Sequence, residues 1–440
     1  MVVIAPAKFQ SNLRPLIAEK NAKGVKTIFK SVEDILKEYN GYDQPEQVKY
    51  FIKYAYDTWG IKYVMLVGGL KSHLYAKDKD TISAGWKAWW VPVRYVSIRI
   101  PAGDVGCLCD LYYGCLYNAT GAFDSWDSNH DGVYAAWNVS GVADDVFDMN
   151  PEVYVSRLPC TTVNEVKVVV NKTLTYESTG PAAKPWYNTF IGCGGKTYAY
   201  YAGKPDGEYQ CDLTYNYTKN AIPDLKLLRC YSSYRYNHLG LTPTHTNITN
   251  SINNGAGFVD FEGHGNPLAW DTIWFDGVYP KDWTGGLTVK YFPDILNGDK
   301  LPVVVVGGCH NGLYNISIIP NFLDKKGTKY FCYGYPYPVC FCWGLVVKPR
   351  GGAIASAGDT GFGLGSEDEG VDNPISLSAA LETNFFWQIG NNNVTNLAKA
   401  HSQAITKYIN EHHIGLLDAD CITNWALFGD PSLQFGGYYS

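Results

Sequence analysis

The sequence predicts an α/β protein of two doubly wound α/β/α lobes, with mostly parallel sheets and helices on both faces. Apolar segments typical of strands alternate with amphipathic helical segments, which is the pattern of βαβ units. Some strand segments, such as "KYVMLVGG", are continuous apolar runs that end in glycine, as expected for strands buried on both faces. The chain has 440 residues, which exceeds one ordinary core and suits two or three lobes.

The first lobe is predicted over residues 1–180. Its segments are, in order, the strands "MVVIAP" and "VKTIFK", the helices "SVEDILKEY" and "PEQVKYFIKYAYDTWG", and the buried strand "KYVMLVGG". An irregular insertion rich in Tyr, Trp, Gly and Asp covers about residues 71–150. The segment "PEVYVSRLPCTTVNEVKVVVNKTLTYE" then gives strand, turn and helix, with Thr162 and Glu165 at the spacing of a capping box. We expect "STGPAAKP" (Ser178–Pro185) to link the lobes.

The second lobe is predicted over residues 181–440, where the strand–helix alternation begins again. The expected strands are "YNTFIGCGG", "LKLLRCY", "GFVDFEGHG", "LPVVVVGGC" and "PRGGAIASAGDTG". A helix is expected in "THTNITNSINNGAG", and two amphipathic helices are expected around Ile375–Ile389 and Val394–Ile409. The end of the chain, "NWALFGDPSLQF", is interpreted as a helix that turns into a short strand.

Several observations bear on location and partners. The net charge is −6 and no basic run occurs, which argues against nucleic-acid binding. No apolar stretch approaches the roughly 20 residues that span a bilayer, and the opening "MVVIAPAKFQ" resembles a strand more than a signal peptide. Twelve cysteines occur, including the clusters Cys107, Cys109, Cys115 and Cys332, Cys340, Cys342. Asn-x-Ser/Thr sequons begin at Asn118, Asn138, Asn171, Asn216, Asn247, Asn315 and Asn393.

These features predict an extracellular or cell-surface protein, its leader absent from the numbered chain, with disulfides and N-glycans. The alternative is that the sequons arise by chance and that the cysteines are buried free thiols.

The segment "DSNHDGVY" resembles the first half of a calcium loop. Asp127, Asn129 and Asp131 stand at alternate positions, and Gly132 permits the sharp turn. The glutamate that would complete the loop is replaced by Asn138, so other ligands would come from Asp144, Asp145 or Asp148. The sequence therefore predicts a structural Ca²⁺ site; the alternative is an Asx-turn loop without an ion.

Two predicted strands end in reactive groups. "FVDFEGHG" ends in His264 between two glycines, and "VVVVGGC" ends in Cys309. Ligands of open α/β sheets bind beyond the carboxyl ends of the strands, where adjacent parallel strands would bring these side chains together. A cysteine attacks as the thiolate and needs a base, a role that histidine fills before it protonates a leaving amine. The backbone N–H groups of Gly265 and Cys309 are candidate oxyanion donors. Taken singly, each signal is weak: a buried cysteine after a valine run is most often a packed core residue, and a histidine after a strand is often a hydrogen-bonded structural residue. The combination of the two motifs is more specific.

The order of these motifs resembles the caspase–legumain–gingipain (clan CD) group of cysteine peptidases, and most closely the gingipain (C25) family. "GHGNPLAW" is similar to the family's Tyr-x-Gly/Ala-His-Gly-Ser-Glu-Thr-Ala-Trp, and "CHNGLY" to its Cys-Val-Asn-Gly-Asp-Phe. "SRLPCTTVNEVKVVVNKTLTYE" and "FGDPSLQ" also have counterparts, so the resemblance spans nearly the whole chain. It implies a caspase/gingipain-like fold and an endopeptidase without a catalytic cofactor. Cys309 would be the nucleophile, His264 the base and Gly265 an oxyanion donor.

The chain also departs from the family pattern. Gingipains place an acid near the end of the strand that opens the second lobe, to orient the histidine, and here Cys193 or a neighbour stands there. Glu208 or Asp206 could replace that acid, and so could a backbone carbonyl.

The resemblance also suggests substrate-binding residues, namely Trp270, Asp359 and Asp368. The acid in the S1 pocket of Arg-type gingipains would fall near Gln210, which is neutral. The corresponding acid of Lys-type gingipains would fall near Asp368. An acid there would favour a basic P1 residue; the alternative is a solvated acidic loop. The expected partners are therefore protein or peptide substrates. Two other functions stay open: a surface transpeptidase of the same family, and an inactive surface or assembly protein that retains the fold.

Overall fold

The computed structural model describes residues 1–76, 87–104, 106–197, 205–275, 282–365 and 376–438. Its strands are β1 (Val2–Ala5), β2 (Ile28–Ser31), β3 (Tyr63–Val67), β4 (Tyr95–Val96), β5 (Cys107–Leu108), β6 (Tyr154–Leu158), β7 (Thr189–Gly194), β8 (Lys226–Tyr231), β9 (Phe258–Glu262), β10 (His264–Asn266), β11 (Ala269–Asp271), β12 (Leu287–Thr288), β13 (Val303–Gly307), β14 (Ala355–Asp359) and β15 (Trp425–Phe428). Its α-helices are α1 (Gln10–Ala22), α2 (Val32–Glu38), α3 (Gln44–Trp59), α4 (Val163–Glu177), α5 (Asp206–Ala221), α6 (Tyr234–Asn237), α7 (His245–Asn254), α8 (Ile318–Leu323), α9 (Phe341–Val347), α10 (Leu377–Asn391), α11 (Leu397–Glu411) and α12 (Leu416–Asn424).

Ten strands form one central sheet in the order β2-β1-β3-β6-β15-β14-β13-β9-β7-β8. The pairs are parallel except β14–β15, so the predicted α/β class with a mostly parallel sheet is confirmed. The strands of the first 180 residues lie at one end of the sheet. β15 joins them to the others through a single pairing, Phe428 with Arg157. The two predicted halves thus share one sheet, and the boundary between them as domains stays a prediction.

The sheet is the middle of three layers. Alternate strand residues belong to two apolar clusters on opposite faces, for example Val303 and Val305 in one and Val304 and Val306 in the other. Helices α2, α3, α10, α11 and α12 contribute to the first cluster, and α1, α4, α7 and α9 to the second. Because both faces are covered, central strands such as β13 are apolar throughout, which is the pattern that the sequence showed for this segment.

Local signals fixed many element boundaries. The predicted capping box is confirmed, since Thr162 accepts from the Glu165 N–H while the Glu165 side chain accepts from the Thr162 N–H. Helix α3 has a proline in its first turn and ends at Trp59, before Gly60, whose φ of 62° glycine adopts most readily. The interpretation of the chain end is wrong, because α12 ends at Asn424 and the residues 425–428 form strand β15. Helices α1, which contains Pro15, and α5 were not predicted.

The irregular region after β3 is held by two buried arginines. Arg94 forms an ion pair with Asp43 and lies 3.3 Å from the ring centroid of Tyr134. Arg157, on β6, forms an ion pair with Asp110 and donates to the carbonyls of Gly68, Val91 and Pro92. These charge-assisted bonds replace regular secondary structure as the means of anchoring this region to the sheet.

The expected disulfides are absent from the structure. All twelve cysteines lie in described ranges and are free thiols, eleven of them buried and Cys309 half-buried. Most of the buried thiols pack within the two apolar clusters as small hydrophobic side chains, which is common for free cysteine. Asn315 is buried at 2 % exposure and so cannot carry a glycan in the folded chain, whereas the other six sequon asparagines are at least partly exposed. No helix within the described residues is long and apolar enough to cross a membrane.

Candidate active site

His264 and Cys309 leave the sheet side by side. Strands β9 and β13 are parallel neighbours, and Glu262 pairs with Gly307 at their ends. The Gly263 N–H donates to the Gly307 carbonyl, 3.0 Å away, which continues the pairing by one residue. His264 and Cys309 each follow the last paired residue by two positions, so both lie at the carboxyl edge of the sheet. This placement agrees with the position predicted from the two strand-ending motifs.

Glycines allow the two chain segments to approach closely. A Cβ atom at Gly308 would lie 3.0 Å from the Gly265 nitrogen, and one at Gly265 would lie 1.9 Å from Asn311 Oδ1. The buried Asn311 then ties the segments together, since its Nδ2 donates to the carbonyls of Asn266 and Ala269, each 2.8 Å away. The glycine before the nucleophile and the glycine after the histidine are therefore steric requirements of the site.

The histidine ring is oriented by a backbone carbonyl. His264 Nε2 lies 2.7 Å from the Thr197 oxygen, and because a carbonyl only accepts, Nε2 carries the proton. Nδ1 is consequently the basic nitrogen of the neutral ring. The Thr197 N–H donates in turn to Asp206 Oδ1 at 2.8 Å. Of the two acids named from the sequence, Asp206 is thus joined to His264 through Thr197.

The other acid, Glu208, has a different environment. It accepts from the Ser232 hydroxyl and from both the N–H and the hydroxyl of Ser233, at the end of β8. Its bonds anchor α5 to β8 and do not reach the histidine.

The environment of Asp206 also affects its charge. Burial raises the pKa of Asp206, and the nearby His264 opposes that rise.

The Cys309 side chain is held by a neighbouring loop. Its Sγ donates to the Gly363 carbonyl at 3.5 Å, and burial raises its pKa to about 12, with Asp359 and Asp104 adding to the rise. The described hydrogen bonds of Cys309 and His264 do not join the two side chains to each other. The thiol must leave the Gly363 carbonyl before an imidazole can take its proton, and catalytic bonds of this kind commonly tighten only when substrate is bound.

The three substrate-binding candidates have different positions. Trp270 is fully buried, with its ring 5.0 Å from that of Phe261, so it supports the β10–β11 hairpin from inside the core. Asp359 is also fully buried, at the end of β14, where a Cβ at Gly363 would lie 2.5 Å from its Oδ2. Asp368 lies outside the described residues. An aromatic ring that the sequence did not single out, Trp283, is 53 % exposed and lies 5.1 Å from the His264 ring.

Sequence reasoning also missed a buried group of carboxyls under the strand ends. Asp260 and Glu262, on β9, interact with each other and with Glu382 of α10. A Cβ atom at Gly307 would lie 2.4 Å from Glu262 Oε2 and 2.7 Å from Glu382 Oε2. Burial raises the pKa of Asp260 to about 7 and that of Glu382 to about 8. The alternation of acids in "VDFEG" was a visible signal, but nothing in the sequence indicated their partner on α10.

The proposed calcium loop is built around its own backbone. Asp127 accepts from the N–H groups of Asp131 and Gly132, and Asn129 Oδ1 also accepts from the Asp131 N–H. Asp131 caps the Val133 N–H in the same way. In the described part of the chain, no three His, Cys, Asp or Glu side chains are grouped to hold a metal ion. These are the bonds of an Asx-turn loop, and occupation by Ca²⁺ stays a prediction.

Comparison with known proteins identifies the family. The model of peptidase family C25 matches residues 1–436. The chain belongs to peptidase family C25. This family consists of cysteine peptidases, which agrees with the resemblance inferred from the motifs around His264 and Cys309.

Individual C25 relatives are distant in sequence. The chain is 23 % identical to gingipain R2 of Porphyromonas gingivalis over 328 residues, which are 72 % of this chain and 33 % of that protein. It is 22 % identical to gingipain R1 of the same organism over 313 residues, 68 % of this chain and 24 % of the relative. The matched part is therefore a third or less of these curated proteins. The crystal structure of the Arg-specific cysteine proteinase gingipain R superposes with a TM-score of 0.65 and 18 % identity, covering 99 % of this chain and 78 % of the other. The C25 fold is shared.

Proposed function

We propose that the chain is a C25 cysteine endopeptidase in which Cys309 is the nucleophile and His264 the general base and acid. One observation carries the proposal: the ends of β9 and β13 bring these residues to the same sheet edge, with a carbonyl fixing the tautomer of His264. A base whose Nδ1 is free of the proton can accept one from a thiol. The resting thiol, held by Gly363, would be released for this transfer when a substrate enters.

The reaction follows from these roles. The Cys309 proton passes to His264 Nδ1, and the thiolate adds to the scissile carbonyl carbon. The N–H groups of Gly265 and Cys309 would hold the resulting oxyanion, a contribution of about 3–4 kcal/mol per donor. The C–N bond then breaks as the imidazolium protonates the amine, which leaves a Cys309 thioester. Water hydrolyses the thioester, releasing the carboxylic acid and restoring the thiol.

Substrate and location belong to the same proposal. The substrates would be proteins or peptides, with a basic P1 residue attracted by acids near the site, for which Asp368 is the sequence candidate. One relative of known structure is described as Arg-specific, which supports the same chemical class. We place the protein outside the cell or at its surface, and the six sequon asparagines that are not buried support this location.

The test uses active-site labelling. The reduced protein is incubated with peptidyl acyloxymethyl ketones that end in Arg, Lys or Leu, and adducts are mapped by mass spectrometry. We expect labelling at Cys309, faster with Arg or Lys, and its loss in His264→Ala but not in the exposed control His413→Ala.

Other outcomes distinguish the alternatives. An absence of adduct together with no cleavage of casein between pH 3 and 9 would reject the peptidase and favour the inactive surface or assembly protein. Products that carry an added amine would indicate the transpeptidase, which shares the thioester. Equal rates for the three ketones would remove the basic P1 preference alone.

A further inference from the structure

The residue after the nucleophile lies in an unusual backbone conformation. His310 has a φ of 58°, in the left-handed region that non-glycine residues rarely occupy, although histidine is among those that do. Its N–H donates to the Gly361 carbonyl at 2.7 Å, and its own carbonyl accepts from Leu313. The sharp turn that presents Cys309 is therefore held at His310 by the loop after β14.

The His310 ring is fixed from three sides. Nε2 lies 2.8 Å from Asp104 Oδ2, and the exposed fractions of the two side chains are 1 % and 2 %. Phe331 stacks on the ring with centroids 4.2 Å apart, and Phe362 meets it edge-on at 4.6 Å. Asp104 lies in the irregular region of the first half, 206 residues away in sequence. In the family motif that the sequence resembles, the corresponding position is valine.

The charges around this pair bear directly on Cys309. Asp104 is one of the groups that raise the pKa of Cys309, together with Asp359 at the end of β14. The Cys107 thiol, on β5, lies 3.8 Å from Asp104 Oδ2.

Further groups surround Asp359: Glu382 on α10 and Asp420 on α12 act on it. The nucleophile thus lies among several acids. Of the two histidines next to it, His264 is paired with Thr197 O, whereas His310 contacts one of those acids directly.

We propose that His310 is a positioning residue for Cys309, which holds the nucleophile turn and, through its bond to Asp104, shields the sulfur from the charge of that acid. This inference deepens the proposed function and rests on it. It assigns a role to the first half of the chain, because Asp104 extends the active site across the structure. Without the imidazole, the Asp104 carboxylate would lose its contact with His310 and disfavour the thiolate more strongly.

The test measures thiolate formation and needs no turnover. The rate of Cys309 alkylation by iodoacetamide is followed by mass spectrometry from pH 6 to 10 in the reduced wild type, His310→Phe, Asp104→Asn and the double variant. Phenylalanine retains the stacking between Phe331 and Phe362 but removes Nε2. We expect His310→Phe to slow alkylation at pH 8 about tenfold, which corresponds to one pKa unit, and the double variant to recover most of that loss. Asp104→Asn alone should alkylate at least as fast as the wild type.

Two results would overturn the proposal. If His310→Phe alkylates like the wild type, His310 does not position or shield the thiol. If His310→Phe and the double variant are equally slow, the effect of His310 does not depend on Asp104, and the shielding role is wrong. If His310→Phe does not fold, Asp104→Asn alone tests the proposal. An alkylation profile of Asp104→Asn that is shifted to higher pH than the wild-type profile would overturn it, because removing the charge of Asp104 should favour the thiolate. Because alkylation is independent of peptide cleavage, a protein that proves inactive on all substrates would reject the proposed function and leave this result readable.

Discussion

Three buried carboxyl groups, those of Asp260, Glu262 and Glu382, contribute a stability that decreases as the pH rises. Burial is the main cause of their raised pKa values, and neighbouring carboxyls raise that of Glu262 further. In the unfolded chain these groups would lose their protons near pH 4. Between about pH 4.5 and 7 the native state therefore binds more protons than the unfolded state. The contribution of these three groups to the free energy of unfolding therefore falls as the pH rises through this window.

The size of the effect can be worked from the linkage relation. Each proton retained only by the native state lowers the free energy of unfolding by about 1.4 kcal/mol per pH unit. From pH 5 to pH 7 this amounts to about 3 kcal/mol for one retained proton. For a chain of this length the entropy of unfolding is about 0.9 kcal/mol per kelvin. One retained proton should therefore lower the melting temperature by about 3 °C over those two pH units.

The perturbation that isolates this proton is Glu382→Gln. Glutamine keeps an oxygen to accept from Gln210 Nε2, which lies 3.1 Å from Glu382 Oε2, but it cannot ionise. We expect the melting temperature of the variant, measured by calorimetry at pH 5, 6 and 7, to fall about 3 °C less than that of the wild type. Other buried acids, such as Glu177, contribute equally to both proteins and cancel in the difference. Glu411→Gln, at an exposed position, is the matched control and should keep the wild-type slope. Parallel curves for wild type and Glu382→Gln would refute the reasoning.

The remaining predictions concern stability, the nucleophile turn and the calcium loop. Lys20→Met should lower the free energy of unfolding by about 3–5 kcal/mol in calorimetry, because it leaves the buried Glu177 and Asp430 carboxylates unpaired; the exposed Lys23→Met should change it little, and equal effects would contradict the account. Gly265→Ala should abolish ketone labelling of Cys309, since the new Cβ meets Asn311, while Gly415→Ala, with room for a methyl group, should label normally. If the Asp127 loop binds Ca²⁺, EDTA should lower the melting temperature and Asp127→Asn should remove that response; a melting temperature indifferent to chelator and to added Ca²⁺ leaves only the Asx turn.

Much of the fold was predictable because its determinants are local. Strands buried on both faces are typically continuous apolar runs, so "VVVVG" could be located from composition alone. The capping box of α4 is encoded within four residues. The placement of His264 and Cys309 at one sheet edge also followed from sequence, because two neighbouring parallel strands end there.

Other features depended on contacts that no local pattern encodes. The segment "NWALF" had the composition of either a helix or a strand, and only the space between β14 and β6 makes it strand β15, the link between the two halves. Trp270 matched a binding motif, yet packing against Phe261 places it in the core. The clustered cysteines suggested disulfides, whereas their side chains fill apolar layers instead.

The sequence by itself determined the fold class and the two residues of the proposed chemistry, since both follow from strand periodicity and from what ends each strand. Only the tertiary structure decided their surroundings: the Thr197 carbonyl on His264, the Asp104 contact of His310 and the acids beneath Gly307. These groups are separated from their partners by tens to hundreds of residues. They meet because the whole sheet must assemble to bury its two faces, a condition that no short segment can specify.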